Sequence, residues 1–194
     1  MRWTKAGFFK SSTLGLVIAF LLALPAAQPV MADQTDARLP TLLDTLAADG
    51  TSPRARKNLE AEIWKIWQQH DSPTISVLMS DALSAMRAGK MKQALKQLDA
   101  VVDLAPDFAE GWNQRATLLY LMRDYEASAA DIAKTLELEP RHFGALSGLG
   151  LIYDRLQKPK AALRAYRKAL EIHPGLEQAG KRVDKLLAEV EQDI

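Results

Sequence analysis

Three prolines stand at one fixed interval: Pro106, Pro140 and Pro174 each lie 34 residues from the next. A period of that length marks a stacked array, because each repeat is a single supersecondary unit too small to bury its own apolar face. The same step aligns eight further columns: Leu78/Trp112/Leu146, Ala82/Ala116/Gly150, Ala85/Leu119/Tyr153, Ala94/Ser128/Ala162, Leu98/Ile132/Tyr166, Val101/Thr135/Ala169, Val102/Leu136/Leu170 and Leu104/Leu138/Ile172. Within a unit the apolar residues follow helical spacing. Leu146, Leu149, Gly150 and Tyr153 run i, i+3, i+4, i+7, and Ala162, Tyr166, Ala169 and Leu170 form a second stripe after a short break. Each unit therefore reads as two amphipathic helices. The small residues Ala82, Ala116 and Gly150 on the first helix, and Ala94, Ser128 and Ala162 on the second, suit helices in close approach, where larger side chains overpack the contact.

The connections follow the same logic. Gly89 can take the left-handed conformation that closes a helix, Asp124 can cap the helix that begins at Tyr125, and Pro159 suits a first helical turn. Arg123 and Gln157 occupy the slot of Gly89 and are expected to turn there at some cost. Pro106, Pro140 and Pro174 disfavour helix in the residue before them, so each second helix stops there.

The run Trp112, Ala116, Leu119, Tyr125, Ser128, Ile132, Thr135, Pro140, followed by Leu149-Gly150, Tyr153, Ala162, Tyr166, Ala169 and Pro174, resembles the tetratricopeptide-repeat (TPR) pattern. The resemblance covers residues 75–176 as three units, 75–108, 109–142 and 143–176. The third unit matches best; the first has Ala85 where the family favours an aromatic, and Asp81 and Arg115 stand where it favours leucine. The fold implied is all-α, a short right-handed α-solenoid of about three helical hairpins. In such a solenoid the first helices form a concave wall where ligands lie. That register puts Met79, Leu83, Met86 and Arg87, then Asn113, Thr117, Tyr120 and Leu121, then Ser147, Leu151, Asp154 and Arg155 on the wall. Adaptable Met and Leu side chains with Asn113 to meet peptide backbone suit an extended or helical peptide. Arg87 and Arg155 are the wall's cations, and the Lys and Asn array by which some TPR domains grip a C-terminal carboxylate is lacking. Arg115 is expected to pair with Asp81, one repeat earlier, or with Asp131.

The flanks are helical as well. Glu177–Gln192 carries Val183, Leu186, Leu187 and Val190 on one stripe, as a C-terminal capping helix (177–194) requires. Residues 33–74 read as a helical pair, 40–48 and 54–70, around the Gly50-Thr51-Ser52-Pro53 turn, with Leu59, Ile63, Ile66 and Trp67 as a core face. The pair is expected to be a degenerate repeat covering the other end, with Trp64 and Trp67 in buried contacts. Residues 1–32 have the pattern of a cleavable signal peptide: Arg2, Lys5 and Lys10, the apolar run Leu14 to Leu24, and Val30-Met31-Ala32 before Asp33. Its removal takes three basic residues and leaves 22 basic against 24 acidic, a balance that suits no phosphate backbone. With no Cys, neither disulfides nor a thiolate site can form, and stability must come from packing. Export, most simply to a Gram-negative periplasm, follows as an expectation, with membrane contact only if the leading segment is retained.

A search for chemistry finds little. His70, His142 and His173 fall in three separate inter-helix turns without zinc-ligand spacing. The carboxylate pairs Asp99/Asp103, Glu137/Glu139 and Glu189/Glu191 lie among basic neighbours on helix surfaces, and no phosphate-binding glycine motif occurs. The expectation is a non-catalytic adaptor or assembly factor for a protein or peptide client, with no cofactor, metal, nucleic acid or small-molecule substrate. The alternative is a structural, self-associating envelope module whose groove holds its own N-terminal segment.

Overall fold

A computed structural model describes residues 33–192 of the chain; the signal-like segment 1–32 and the side chain of Val190 lie outside the described residues. After a short 3-10 turn at Asp33–Thr35, nine α-helices follow: α1 Leu39–Ala47, α2 Pro53–Trp67, α3 Pro73–Arg87, α4 Met91–Leu104, α5 Ala109–Leu121, α6 Tyr125–Leu138, α7 Phe143–Arg155, α8 Pro159–Ile172 and α9 Glu177–Gln192. The pairs α3/α4, α5/α6 and α7/α8 are antiparallel hairpins, and α5 and α7 also pack on the second helix of the preceding unit. The result is the expected all-α repeat stack.

Local chemistry sets the boundaries. Asp124 accepts the Ala127 N–H at the start of α6, and Ser52 accepts the Ala55 N–H at the start of α2, where Pro53 needs no donor partner. The tight turns between the two helices of each hairpin use a left-handed residue at the same slot three times: Gly89 at φ 71°, Arg123 at φ 67° and Gln157 at φ 54°. Most of the aligned columns are core, the exception being Leu104/Leu138/Ile172, where Leu104 is 64% exposed. Ala82, Ala94, Leu98, Val101, Ala116, Ile132, Ala162, Tyr166 and Ala169 are all buried. Helix α9 closes the last unit through Ala179, Val183, Leu186 and Leu187, packed with Ala162, Leu163 and Tyr166.

Arg115 joins the first two units. Its guanidinium makes paired bonds of 2.8 Å to both Asp131 oxygens on α6 and a 3.0 Å bond to Asp99 on α4, so the second of the two expected partners is found and Asp81 takes no part.

The N-terminal pair departs from expectation. It does not stack on α3 as a preceding repeat; it lies lengthwise across the row of turns that join one unit to the next. His70, just after α2, meets Phe108 in the first turn; Trp67 stacks on His142 in the second, with ring centroids 4.1 Å apart; Glu60 faces His173 at 3.2 Å in the third. Helix α1 runs back along α2, reaching α8 and offering Asp44 to Arg141 at 2.8 Å. Phe108 and His142 are fully buried, and Leu176 joins the cluster of Leu39, Leu43, Leu46, Ile63, Ile66, Trp67 and Phe143. These three covered residues are themselves 34 apart. The physical reason is complementarity: the greasy face of α2 matches that row, whereas the outer face of α3 offers exposed Ser80, Asp81 and Ser84.

Candidate peptide-binding groove

Helices α3, α5 and α7 stand side by side and form the wall. Of the residues assigned to it from sequence, Leu151 is 47% exposed and Leu121 54%, while Thr117, Arg87 and Arg155 also face solvent. Leu83, Met86, Tyr120, Ser147 and Asp154 are half-buried, and Met79 and Asn113 are inside at 6% and 7% exposure. Met79 is part of the first unit's core. Asn113 donates to Glu110 Oε2 at 2.9 Å, and that oxygen lies 3.1 Å from Nε2 of buried His142. One of its two amide N–H groups is therefore engaged internally, which leaves the other N–H and Oδ1 for a client backbone.

The structure gathers the residues of units two and three, and leaves those of unit one apart. Asn113, Thr117, Tyr120 and Leu151 line a crevice of about 90 Å³ between α5 and α7, floored by Gly148. Arg155 Nε donates to the Tyr120 hydroxyl at 3.0 Å and ties the two units across it. Ser147, Leu151 and Asp154 line a larger cleft of about 520 Å³, bounded by α7, α9 and the Glu60 edge of α2. Leu83, Met86 and Arg87 line neither cavity; among the described residues the Arg87 guanidinium bonds to Ser84 Oγ at 3.0 Å.

Asp154 is held from two sides. Arg182 of α9 makes bonds of 2.7 and 2.9 Å to its two oxygens, and the Tyr166 hydroxyl donates to it at 3.0 Å. Burial, reinforced by that bond to an anion, pushes the Tyr166 phenol well above its ordinary pKa. The hydrogen bond to Asp154 likewise makes Arg182 hold its proton more firmly than usual.

Sequence reasoning missed Glu60 and Arg182, because both lie outside the repeats and the 34-residue register says nothing of them. A signal for Glu60 existed: it shares the face of α2 with Trp64 and Trp67, at i, i+4 and i+7. The three histidines are turn residues. Nδ1 of His70, His142 and His173 accepts a backbone N–H from Ser72, Ala145 and Gly175, respectively, at 3.0 to 3.1 Å.

Residues 81–131 and 144–176 each match the tetratricopeptide repeat as a sequence family. A TPR repeat-containing protein of Rhizobium etli is 34% identical over 190 residues, spanning 92% of this chain and 93% of its own. The chain belongs to the tetratricopeptide-repeat family. Among solved structures, this TPR protein resembles the first TPR of Spaghetti (RPAP3) bound to the HSP90 peptide SRMEEVD, with a TM-score of 0.60 at 21% identity over 62% of this chain and 96% of that one. MamA gives a TM-score of 0.55 at 19% identity, covering 77% of this chain and 81% of its own. At these identities the structural likeness speaks for the fold.

Proposed function

We propose that this TPR protein is a non-catalytic adaptor or assembly factor that holds a protein or peptide client against the wall of its second and third units. One observation carries this reading: Leu151, an apolar side chain left 47% exposed, sits between the crevice and the larger cleft, where a chain laid along the wall would cover it. The neighbours solved with HSP90 and HSP70 peptides support the general mode of binding. They do not carry over as clients, because this wall presents Arg87 and Arg155 where a carboxylate grip needs a cluster of cations.

The test is site-specific photo-crosslinking in the native cell, with the crosslinker at Leu151, at Thr117 or, as a control on the opposite face, at exposed Glu137. Adducts at the first two positions and none at Glu137 are expected, and mass spectrometry then identifies the client. The reverse pattern removes the groove reading. The rival, a groove filled by the chain's own N-terminal segment, draws support from α2, which lies along the base of the wall, while exposed Thr117 and Leu151 favour an outside client.

We further propose export to a periplasm, on the residue pattern of 1–32. N-terminal sequencing of the native protein should begin at Asp33, and recovery of Met1 in the cytosolic fraction refutes export.

A further inference from the structure

The cleft between α7, α9 and α2 is walled by buried polar atoms, His173 Nε2 and Ser147 Oγ, that lack hydrogen-bond partners among the described residues. His173, at the cleft wall, is only 2% exposed; its Nδ1 accepts the Gly175 N–H at 3.1 Å, so the ring proton resides on Nε2, itself buried and turned toward Glu60. Nε2 lies 3.2 Å from Glu60 Oε2 but is not aligned for a hydrogen bond, and Ser147 Oγ is buried without a partner. Buried polar atoms of this kind are uncommon, because each loses its water without replacement.

The charges lead to the same place. Asp154 and Arg182 neutralise each other through two bonds, and Arg182 also reaches Glu189. Arg56, one turn before Glu60, directs its guanidinium to the Ala48 carbonyl at 2.9 Å. What remains for a visitor in the cleft is the carboxylates of Glu60 and Glu177, with Leu151, Leu176 and Ala179 as apolar lining. Such a site complements a long aliphatic stem that ends in a positive charge.

We propose that this cleft seats a Lys or Arg side chain of the bound peptide. The stem lies against Leu151, Leu176 and Ala179, and the cationic head meets Glu60, whose carboxylate is backed by the buried His173 ring. The proposal rests on the groove reading and adds to it the identity of one client residue and the part played by α2, a helix outside the repeats. With Arg155 one turn further along the wall, the groove is acidic at its α9 end and basic beside it, which orients a peptide as well as binding it.

The test is selection of random dodecapeptides displayed on phage, against the immobilised full chain and its Glu60→Gln and Glu60→Lys variants. Peptides enriched on the wild type should carry Lys or Arg beside an apolar residue. The best of them, made synthetically, should lose about tenfold in affinity for Glu60→Gln, the loss of one charge-assisted bond. Glu60→Lys should instead enrich acidic peptides; should it fail to fold, the isosteric Gln variant decides. Thr117→Trp, which blocks the wall one unit away, separates the two claims. Binding that Thr117→Trp abolishes and that is indifferent to Glu60, or enrichment without a basic residue, overturns the cleft assignment and leaves the groove standing. No enrichment over bare support overturns both.

Discussion

Arg115 occupies the column in which the third unit has Leu149 and the first Asp81. A cation there is tolerable because Asp131, whose side chain is 7% exposed, meets it with both oxygens, and the Trp112 ring lies 4.8 Å from its Cζ. Replacing one member leaves the other desolvated. Arg115→Leu should therefore lower stability by about 2–4 kcal/mol in chemical denaturation, and adding Asp131→Leu should recover part of it; an unchanged midpoint for the single variant refutes this account. The slot of Gly89 offers a milder case. Arg123 and Gln157 hold positive φ despite a Cβ, so Arg123→Gly and Gln157→Gly should each raise stability by about 0.5–1 kcal/mol, whereas Gly89→Ala should lower it by a similar amount. That strain was legible from the register alone, since one glycine in a three-membered column shows what the other two members must do. Asp99 was not legible as a third partner of Arg115, because the meeting of α4, α5 and α6 is a fact of stacking rather than of period.

Helix pairs in this stack are matched in volume, and the third pair shows it. Where units one and two set Ala82 and Ala116 in the column that faces Leu98 and Ile132, unit three sets Gly150 opposite Tyr166. A Cβ on Gly150 would stand 2.5 Å from Tyr166 Cε1 and 2.6 Å from Cζ. Gly150→Ala should accordingly destabilise by about 2 kcal/mol, and Tyr166→Leu, which restores the Ala–Leu pairing of the first unit, should rescue part of that loss in a double-mutant cycle. Additive effects contradict the matched pair. Tyr166 also carries a pH signature. Its phenol holds its proton more firmly folded than unfolded, so the stability it contributes is full below the unfolded value of about 10 and declines as pH rises above it. The stability margin of the wild type over Tyr166→Phe should shrink by about 1 kcal/mol between pH 9 and pH 11. The eight columns made these elements readable in advance, and the compensating swap could have been read from them too, since it lies wholly inside the repeat.

At the scale of the molecule, the departure was the placement of α1 and α2. Their existence, their turn and the burial of Trp67 followed from amphipathic spacing, with Trp64 only half-buried, but periodicity carries no information about what a non-repeating segment covers. The clue lay in the third dimension: Phe108, His142 and Leu176 are equivalent residues that α2 and the His70 just beyond it can touch in succession. The seat is close-fitting at Gly144, where a Cβ would come within 2.6 Å of Trp64 Cη2. Trp64→Ala should weaken the docking by about 2–3 kcal/mol. Amides of α1 and α2 should then exchange roughly a hundredfold faster, while those of α5 to α8 keep their protection. Uniform acceleration in all helices means instead that the hairpin and the stack open together. The wall residues divide in the same way: Leu151 and Thr117 were legible as surface, but the burial of Met79 and Asn113 depends on contacts that no register supplies. Bare superhelices of nearest-neighbour units behave as springs, since nothing ties one turn of the coil to the turn after next. Here a rod of fifteen residues, about 22 Å long, is seated on two successive joints through Trp67 and Glu60, and His70 just beyond its end meets the joint before them, so the spacing of the units is braced. On the proposed function, a client meets a rigid mould, and little of its binding free energy goes into shaping the receptor.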